Sequence, residues 1–279
     1  MELQLVYGRA GTGKSEYCFQ EIKRHITNKE KAYIITPEQF SYMQEKRLLQ
    51  TLENEATINA EVITFNRMSE RISTEVGGNT DALITKSSKA MLIYSILQKN
   101  KEDFTFLGKT NQNLDLAIKT ITEFKKHNVS KEDILQDMEK VNNEILKLKL
   151  KDMNHIYEEY EHTMQGKYID EDDKLTRLSK QIEESKMFEN SYVYIDEFAG
   201  FTAQEYEIIK KIMKQAKQVT ITSCSDVEEE NDIFTPNKQV VNKIIENAQK
   251  ENIKINRPII LKQTYRFKNS ELKHLEENL

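Results

Sequence analysis

Residues 8–15 read Gly8-Arg9-Ala10-Gly11-Thr12-Gly13-Lys14-Ser15, the spacing G-x-x-x-x-G-K-[ST]. An apolar run, Leu3 to Tyr7, leads into it, and a helix-forming stretch, Glu16 to Ile26, follows. That setting is what a P-loop needs. A strand ends, and small residues let the backbone curl until successive N–H groups point inward as an anion nest. A helix N-terminus then adds partial positive charge where phosphates lie. In this geometry Lys14 reaches the β and γ phosphates and the Ser15 hydroxyl ligates Mg²⁺. The competing explanation is a chance match in a glycine-containing turn, and the flanking strand and helix weigh against it. The motif predicts triphosphate and Mg²⁺ binding; it does not say what the nucleotide is for.

The following residues continue a β-α alternation. Ala32 to Thr36 reads as a buried strand ended by Pro37, and Glu38 to Leu52 as a helix with Phe40, Met43, Leu48 and Leu52 apolar. A short strand, Ala60 to Phe65, runs into a helix over Asn66 to Val76, and Gly77-Gly78-Asn79 breaks the pattern. From about Thr85 to Lys186 helical periodicity dominates, through Met91, Ile93, Tyr94 and Leu97, then Leu114, Ile118, Ile121 and Phe124, then Ile145, Leu148, Met153, Ile156, Tyr157 and Tyr160. No single heptad register holds, so an all-helical insertion is expected rather than a coiled coil. The sheet resumes at Tyr192 to Ile195. A helix from a Thr202 cap with Glu205 as capping box, a strand over Gln218 to Ser223 and an acidic loop over Asp226 to Asn231 come next. A helix over Lys238 to Glu251 and an edge-like strand over Ile253 to Leu261, interrupted by Pro258, complete the pattern. The expectation is an α/β fold: a P-loop NTPase (RecA-like) parallel sheet flanked by helices. It is formed by residues 1–80 and 187–279, with 81–186 as the helical insertion. A helix beginning at Ser270 that simply stops suggests a piece of a longer protein.

A P-loop needs a carboxylate across the site, delivered by the end of a buried strand. Asp196 meets that need as the expected Mg²⁺ ligand, and Glu197 beside it is placed to polarise a water as general base. An acidic turn after a strand is common, so it is the pairing with the P-loop that gives these two carboxylates weight.

Composition narrows the class. Charged residues make up 31%, hydrophobic ones 38%, and Gly and Pro number 8 and 3, a helix-rich and ordered composition. The net charge of −5 leaves no broad footprint for nucleic acid, so any DNA contact is local or shared with a partner. Cys18 and Cys224, far apart and in no C-x-x-C arrangement, fit two reduced thiols in a cytosolic protein, with a disulfide between them as the alternative that no pattern supports. A P-loop starting at residue 8 leaves no room for a signal peptide, and no apolar run is long enough to span a membrane.

Several stretches together resemble the superfamily 1 DNA helicases, and most closely the AddB family of subunits of bacterial helicase–nucleases. These are the near-terminal P-loop, Thr36-Pro37-Glu38-Gln39-Phe40, Thr64-Phe65-Asn66-Arg67-Met68, the acidic run Tyr168 to Leu175, Ile195-Asp196-Glu197-Phe198 with Phe201 to Glu205, and Thr264-Tyr265-Arg266-Phe267. The resemblance implies contacts to single-stranded DNA from Thr36, Pro37, Gln39, Thr64, Phe65 and Arg67, with 1A- and 1B-like subdomains. It also implies a cytoplasmic role in double-strand-break repair and recombination as a heterodimer with an AddA-type subunit. ATP and Mg²⁺ are the implied cofactors, and the family's iron–sulfur cysteines lie outside this sequence. Arg266 falls where helicases place an arginine on the γ-phosphate; a structural arginine paired with a carboxylate is the alternative. Departures matter too. Seven residues before the P-loop leave no room for an adenine-reading glutamine motif, and Phe198-Ala199-Gly200 replaces the expected Gln-Asp. Ser223 to Asp226 stands where a Gly-Asp coupling motif belongs. Motor activity is therefore expected to be weak or absent, with a non-hydrolysing DNA-reading scaffold as the second possibility and a P-loop small-molecule kinase as a third.

Three smaller features have two explanations each. Arg9 can reach a phosphate or face solvent, and Phe65 can stack on a base or join the core. Lys125-Lys126-His127 can form a basic patch or a solvated helix face. Tyr157 and Tyr160, at helical spacing beside Ile156, read as core.

Overall fold

Runs of buried side chains set the sheet: Ala32–Ile35 and Val193–Ile195 are inaccessible on both faces, as strands of a covered parallel sheet must be. The computed structural model describes residues 1–53, 57–77, 81–107, 113–226, 232–267 and 269–277. Gly78 and Asn79 of the proposed break, residues 227–231 of the acidic loop and the last two residues lie outside these. The chain opens with β1 (Glu2–Gly8), α1 (Lys14–Thr27), β2 (Lys31–Ile35), α2 (Ser41–Leu52), β3 (Ala60–Ile63) and α3 (Phe65–Val76). Then come β4 (Ala82–Leu83), α4 (Lys86–Lys99), α5 (Asn113–Lys126), α6 (Lys131–Lys140), α7 (Glu144–Met164), β5 (Tyr168–Ile169) and α8 (Lys174–Gln181). It closes with β6 (Ser191–Ile195), α9 (Ala203–Met213), β7 (Gln218–Cys224), α10 (Thr235–Lys250), β8 (Lys254–Ile255), β9 (Ile259–Ile260) and α11 (Ser270–Glu277).

The chain divides into two units, one of residues 1–76, 179–201 and 205–279 and the other of 77–178 and 202–204. The first holds an all-parallel sheet in the order β3-β2-β6-β7-β1-β8, with β9 also on β1. Pro258, which has no N–H to donate, falls between β8 and β9 and splits the edge segment into two-residue strands. Register is level across the sheet: Ile35 faces both Ile63 and Ile195, and Ile195 faces Ile221. The carboxyl ends of β2, β3, β6 and β7 therefore share one edge, the edge where ligands bind in such folds. Against one face, Phe19, Ile22 and Ile26 of α1 and Leu48 and Leu52 of α2 pack on Ile34, Val62 and Tyr194. Each such burial contributes about 1.5–3 kcal/mol. Met43, expected on the apolar side of α2, is instead 62% exposed.

Among the described residues the second unit is helical apart from a two-residue parallel pair, β4 with β5, too short to carry any periodic signal. Its core joins Ile93, Ile96 and Leu97 to Ala117, Ile121, Ile134, Met153, Ile156 and Tyr160. In α4 the buried positions are Lys89, Ile93, Ile96 and Leu97, the i, i+4, i+7, i+8 stripe of an amphipathic helix. Met91 and Tyr94 fall off that stripe and are exposed, as are Ile145 and Leu148 in the first turns of α7.

Lys89 belongs to a buried ionic cluster. Its Nζ lies 2.8 Å from Asp170 Oδ2 and 2.7 Å from Asp172 Oδ2. Lys125 Nζ reaches Asp173 at 2.7 Å and Glu161 at 2.9 Å, and the Tyr160 hydroxyl donates to Asp170 Oδ2 at 2.7 Å. Lys125 is only 4% exposed, so it is no part of a surface patch with Lys126 and His127. Burial alone would raise the Asp170 pKa; hydrogen bonds from Lys89 and Tyr160, with the charge of Lys125, hold it below the usual carboxylate range. For Lys125 burial works downward, and Asp173 and Glu161 outweigh it, so its pKa lies above the ordinary value.

A depressed carboxylate stabilises the fold above its unfolded pKa of about 3.9 and loses that contribution as pH falls through the lower folded value. Urea unfolding is therefore expected to show the second unit weakening below about pH 4. Lys89→Met leaves Asp170 and Asp172 facing each other without their shared cation and is expected to cost about 3–5 kcal/mol at neutral pH. A loss under about 1 kcal/mol would show that the cluster behaves as a solvent-screened surface pair.

Candidate functional site

The loop between β1 and α1 takes its form from its glycines. Gly11 (φ 82°) and Gly13 (φ 87°) lie in the left-handed region, which a side chain strains and glycine enters freely. A Cβ on Gly8 would stand 2.3 Å from Thr12 Oγ1, and one on Gly11 would stand 2.4 Å from Arg266 Cβ. Thr12 is buried and closes the loop on itself, its hydroxyl donating to the Arg9 carbonyl at 2.9 Å. Gly13 caps α1 without any side-chain hydrogen bond, so the first-turn N–H groups of α1 face the loop. The Lys14 ammonium curls back to donate to the carbonyls of Gly8 and Arg9 at 2.7 and 2.9 Å.

This loop forms one wall of a cleft of about 570 Å³. Ala10, Gly11, Gly13, Lys14 and Ser15 line it from one side, and Asp196, Glu197 and Thr222 from the sheet edge. Tyr265 and Arg266 line it from the segment after β9. β7 lies between β1 and β6, and its Thr222 donates to Asp196 Oδ1 at 2.5 Å. Asp196 is 2% exposed, yet its Oδ2 has no hydrogen-bond partner among the described residues. Leaving a buried carboxylate oxygen unpaired is costly unless a cation or donor completes it. Glu197 takes a left-handed turn (φ 66°), which costs a non-glycine residue about 1–2 kcal/mol. It is exposed, and its Oε1 accepts from Ser15 Oγ at 3.1 Å. The Ser15 hydroxyl and the unpaired Asp196 oxygen fit a hard, oxygen-seeking divalent cation. The nest, the N-terminus of α1 and Lys14 fit a polyphosphate anion.

Tyr265 and Arg266 flank the loop. Tyr265 N donates to the Gly11 carbonyl at 2.9 Å, and its ring edge lies 3.8 Å from where a Gly13 Cβ would be. The ring is 65% exposed and offers an aromatic face beside the N-terminus of α1. Arg266 makes no ion pair among the described residues, so the carboxylate-bridging alternative has no partner there. Arg9 turns from the cleft: its Nε lies 2.9 Å from Asp226 Oδ2 and its guanidinium packs over Phe234. It can offer an anion only its backbone, and it does not face solvent, being 15% exposed.

Of the six positions suggested for DNA, all sit at the shared carboxyl edge after β2 and β3, but only three present a surface. Pro37 is half-buried, Gln39 exposed, and Arg67 half-exposed and paired with Glu45. Thr36 and Thr64 are buried, and the Thr64 hydroxyl accepts from Arg67 N at 3.3 Å. Phe65 takes the core alternative. Its ring is 6% exposed and meets Phe198 edge-on at 5.7 Å, so it belongs to the core and has no face free for a base.

Sequence reasoning singles out neither Thr222 nor the ring of Tyr265. A threonine inside an apolar strand is an ordinary β residue until its partner is known, whereas Tyr265, next to an arginine expected at a phosphate, carries a usable signal. Cys18 is buried and Cys224 lies at the cleft end of β7; both are free thiols. No helix among the described residues is long and apolar enough to cross a membrane.

The sequence profile of the family described as ADDB, N-terminal, matches residues 5–276. The AddB-type subunit of the ATP-dependent helicase/deoxyribonuclease of Clostridium tetani is 40% identical over 296 aligned positions, that of Clostridium kluyveri 38% over 293, and that of Clostridium botulinum strain Langeland 36% over 293. Each alignment covers all of this chain and 26% of the relative, so the chain spans about a quarter of their length.

Thr222→Val would leave both oxygens of Asp196 without a partner among the described residues. It is expected to lower stability by about 1–3 kcal/mol in urea unfolding. A change under about 0.5 kcal/mol would place water, not Thr222, on that carboxylate.

Proposed function

We infer that this chain, which belongs to the AddB family and matches it through that family's N-terminal region, binds ATP with Mg²⁺ and single-stranded DNA. It acts as the nucleotide-binding part of a cytoplasmic helicase–nuclease subunit in double-strand-break repair and recombination, working on break ends beside an AddA-type partner. Residues 1–80 and 187–279 serve as the 1A-like domain and 81–186 as the 1B-like insertion. One observation carries the nucleotide reading: Lys14, Ser15, Asp196, Glu197 and Arg266 meet at one cleft, where a buried Asp196 oxygen has no partner among the described residues.

Each group then has a task. The loop N–H groups and Lys14 hold the phosphates, Ser15 and Asp196 hold the cation, and the exposed Tyr265 ring supports the base. A bound Mg²⁺ neutralises charge on the phosphoryl oxygens. Glu197 Oε1 accepts the proton of the attacking water as its oxygen bonds to the γ-phosphorus and the bond to the β,γ-bridging oxygen breaks, releasing ADP, and Arg266 balances the charge that gathers there. Phe198 occupies the position where active helicases carry a polar glutamine, and its ring packs on Phe65. That apolar contact supports weak or absent motor activity, with the chain reading DNA more than pulling on it.

Titration with a fluorescent ATP analogue and Mg²⁺ tests the site. Lys14→Ala is expected to weaken binding about tenfold or more, and Tyr265→Ala about threefold to tenfold. Asp196→Asn should retain nucleotide and lose the Mg²⁺ dependence. A Lys14→Ala chain that binds as well as the parent would remove the P-loop from the account. For DNA, Arg67→Ala is expected to weaken single-strand binding and flatten its salt dependence by about one unit of slope.

A further inference from the structure

Glu197 is followed by a ring held on two sides. Phe198 meets Phe65 edge-on at 5.7 Å (67°) and Phe201 at 4.9 Å (32°). Phe201 in turn meets Tyr206 at 5.5 Å, and Lys243 lies 4.4 Å from the centre of the Tyr206 ring. The row runs from the first residue of α3 to α9 and α10, within the sheet unit. Glu197 itself stands at φ 66°, a conformation that glutamate does not adopt unless its surroundings impose it. Among the described residues no cation pairs with its carboxylate to draw it there; its partner is the Ser15 hydroxyl. Edge-to-face and offset, tilted ring pairs both have directional preference, so a ring gripped by two neighbours fixes the Cα–Cβ direction of its residue and with it the preceding peptide.

We propose that Phe198 is a positioning residue: clasped between Phe65 and Phe201, it holds Glu197 in the left-handed turn that aims its carboxylate at Ser15. Phe65 is the anchor of this device. The ring following β3 thereby reaches the hydrolytic carboxylate through one aromatic contact, at the edge that carries Pro37, Gln39 and Arg67. The proposal rests on Glu197 as the proton acceptor for its consequence in turnover, but not for its geometry.

The experiment has two independent arms. In a crystal structure of Phe198→Leu, Glu197 is expected to leave the positive-φ region and its contact with Ser15 to open beyond hydrogen-bond distance. Glu197 unchanged at φ near 66° and still on Ser15 would overturn the proposal. Phe65→Leu loosens the same ring from the other side and gives the same readout should Phe198→Leu fail to fold. In solution, Phe198→Leu should lower ATP turnover about tenfold or more while nucleotide affinity stays within about twofold. Phe198→Tyr should restore turnover, and the Phe65→Leu, Phe198→Leu double variant should be no worse than either single one. Affinity and turnover falling together, or losses that simply add, would overturn the positioning role. A parent chain that binds no ATP–Mg²⁺ would overturn Glu197 as a base, and the crystal structure alone would then decide the geometry.

Discussion

The carboxyl of Asp196 is the point on which the sheet unit depends. A carboxyl group nearly stripped of water, with one oxygen satisfied by Thr222 and the other by no described residue, is an unfavourable thing for a fold to build. It can be built here because three adjacent parallel strands run in register, with β7 and β1 continuing past Ile195 to Cys224 and Gly8. β6 delivers Asp196, β7 delivers its hydroxyl donor, and β1 delivers the loop opposite. The covered sheet supplies the apolar burial that offsets the local cost. Stability and a ligand-ready edge thus come from the same register, and a slip of one residue in β6 would turn Asp196 to the other face.

Much of this is legible in the sequence because it is written in short local patterns. Strand-then-glycines-then-helix, and apolar run-then-Asp-Glu, each encode a backbone path and a chemical group together, so Lys14, Ser15, Asp196 and Glu197 can be placed in one cleft from the sequence alone. What escapes is decided by partners distant in sequence. Lys89 and Lys125 look like ordinary helix-surface lysines, and the acids at 161, 170, 172 and 173 explain why they are buried. Arg9 looks free to meet a phosphate or solvent, but Asp226 and Phe234 take its guanidinium. Phe65 sits in a stretch that resembles a DNA-contacting motif, and Phe198 keeps it inside. Apolar periodicity, likewise, marks a stripe but not its width, which is why Met43, Met91 and Ile145 emerge on the surface.

The helical unit solves a different problem with different means. Its helices carry many charges, and instead of widening the apolar stripe the fold draws two lysines inward and gathers carboxylates around them. Tyr160, fully buried, ties the polar cluster to the apolar core: its ring packs with Ile156 and Met164 while its hydroxyl serves Asp170. An ionic cluster of this kind adds little net stability over a well-packed apolar one. What it adds is uniqueness, because Lys89 pairs with both Asp170 and Asp172, and sliding α4 along its neighbours would take that shared cation away from both carboxylates. The acidic run at 170–173, which resembles a helicase motif, therefore has a structural reason to be acidic that stands apart from any contact with DNA.

Glu197 and Asp196 are neighbours in sequence but are held by opposite strategies. Asp196 is fixed by burial and one strong hydrogen bond, whereas Glu197 is exposed and fixed by backbone conformation. The difference suits the tasks proposed for them. A metal ligand gains from rigidity and from having an oxygen no protein group satisfies. A proton acceptor must meet water, so it cannot be immobilised by burial, and its direction has to be imposed through the main chain. A bulky aromatic residue directly after it does that where a small or polar residue would leave the turn free. On this argument, Phe198 in place of the glutamine of active helicases is not a simple loss: its apolar contact with Phe65 keeps the neighbouring carboxylate aimed, in keeping with the weak or absent motor activity proposed for the chain.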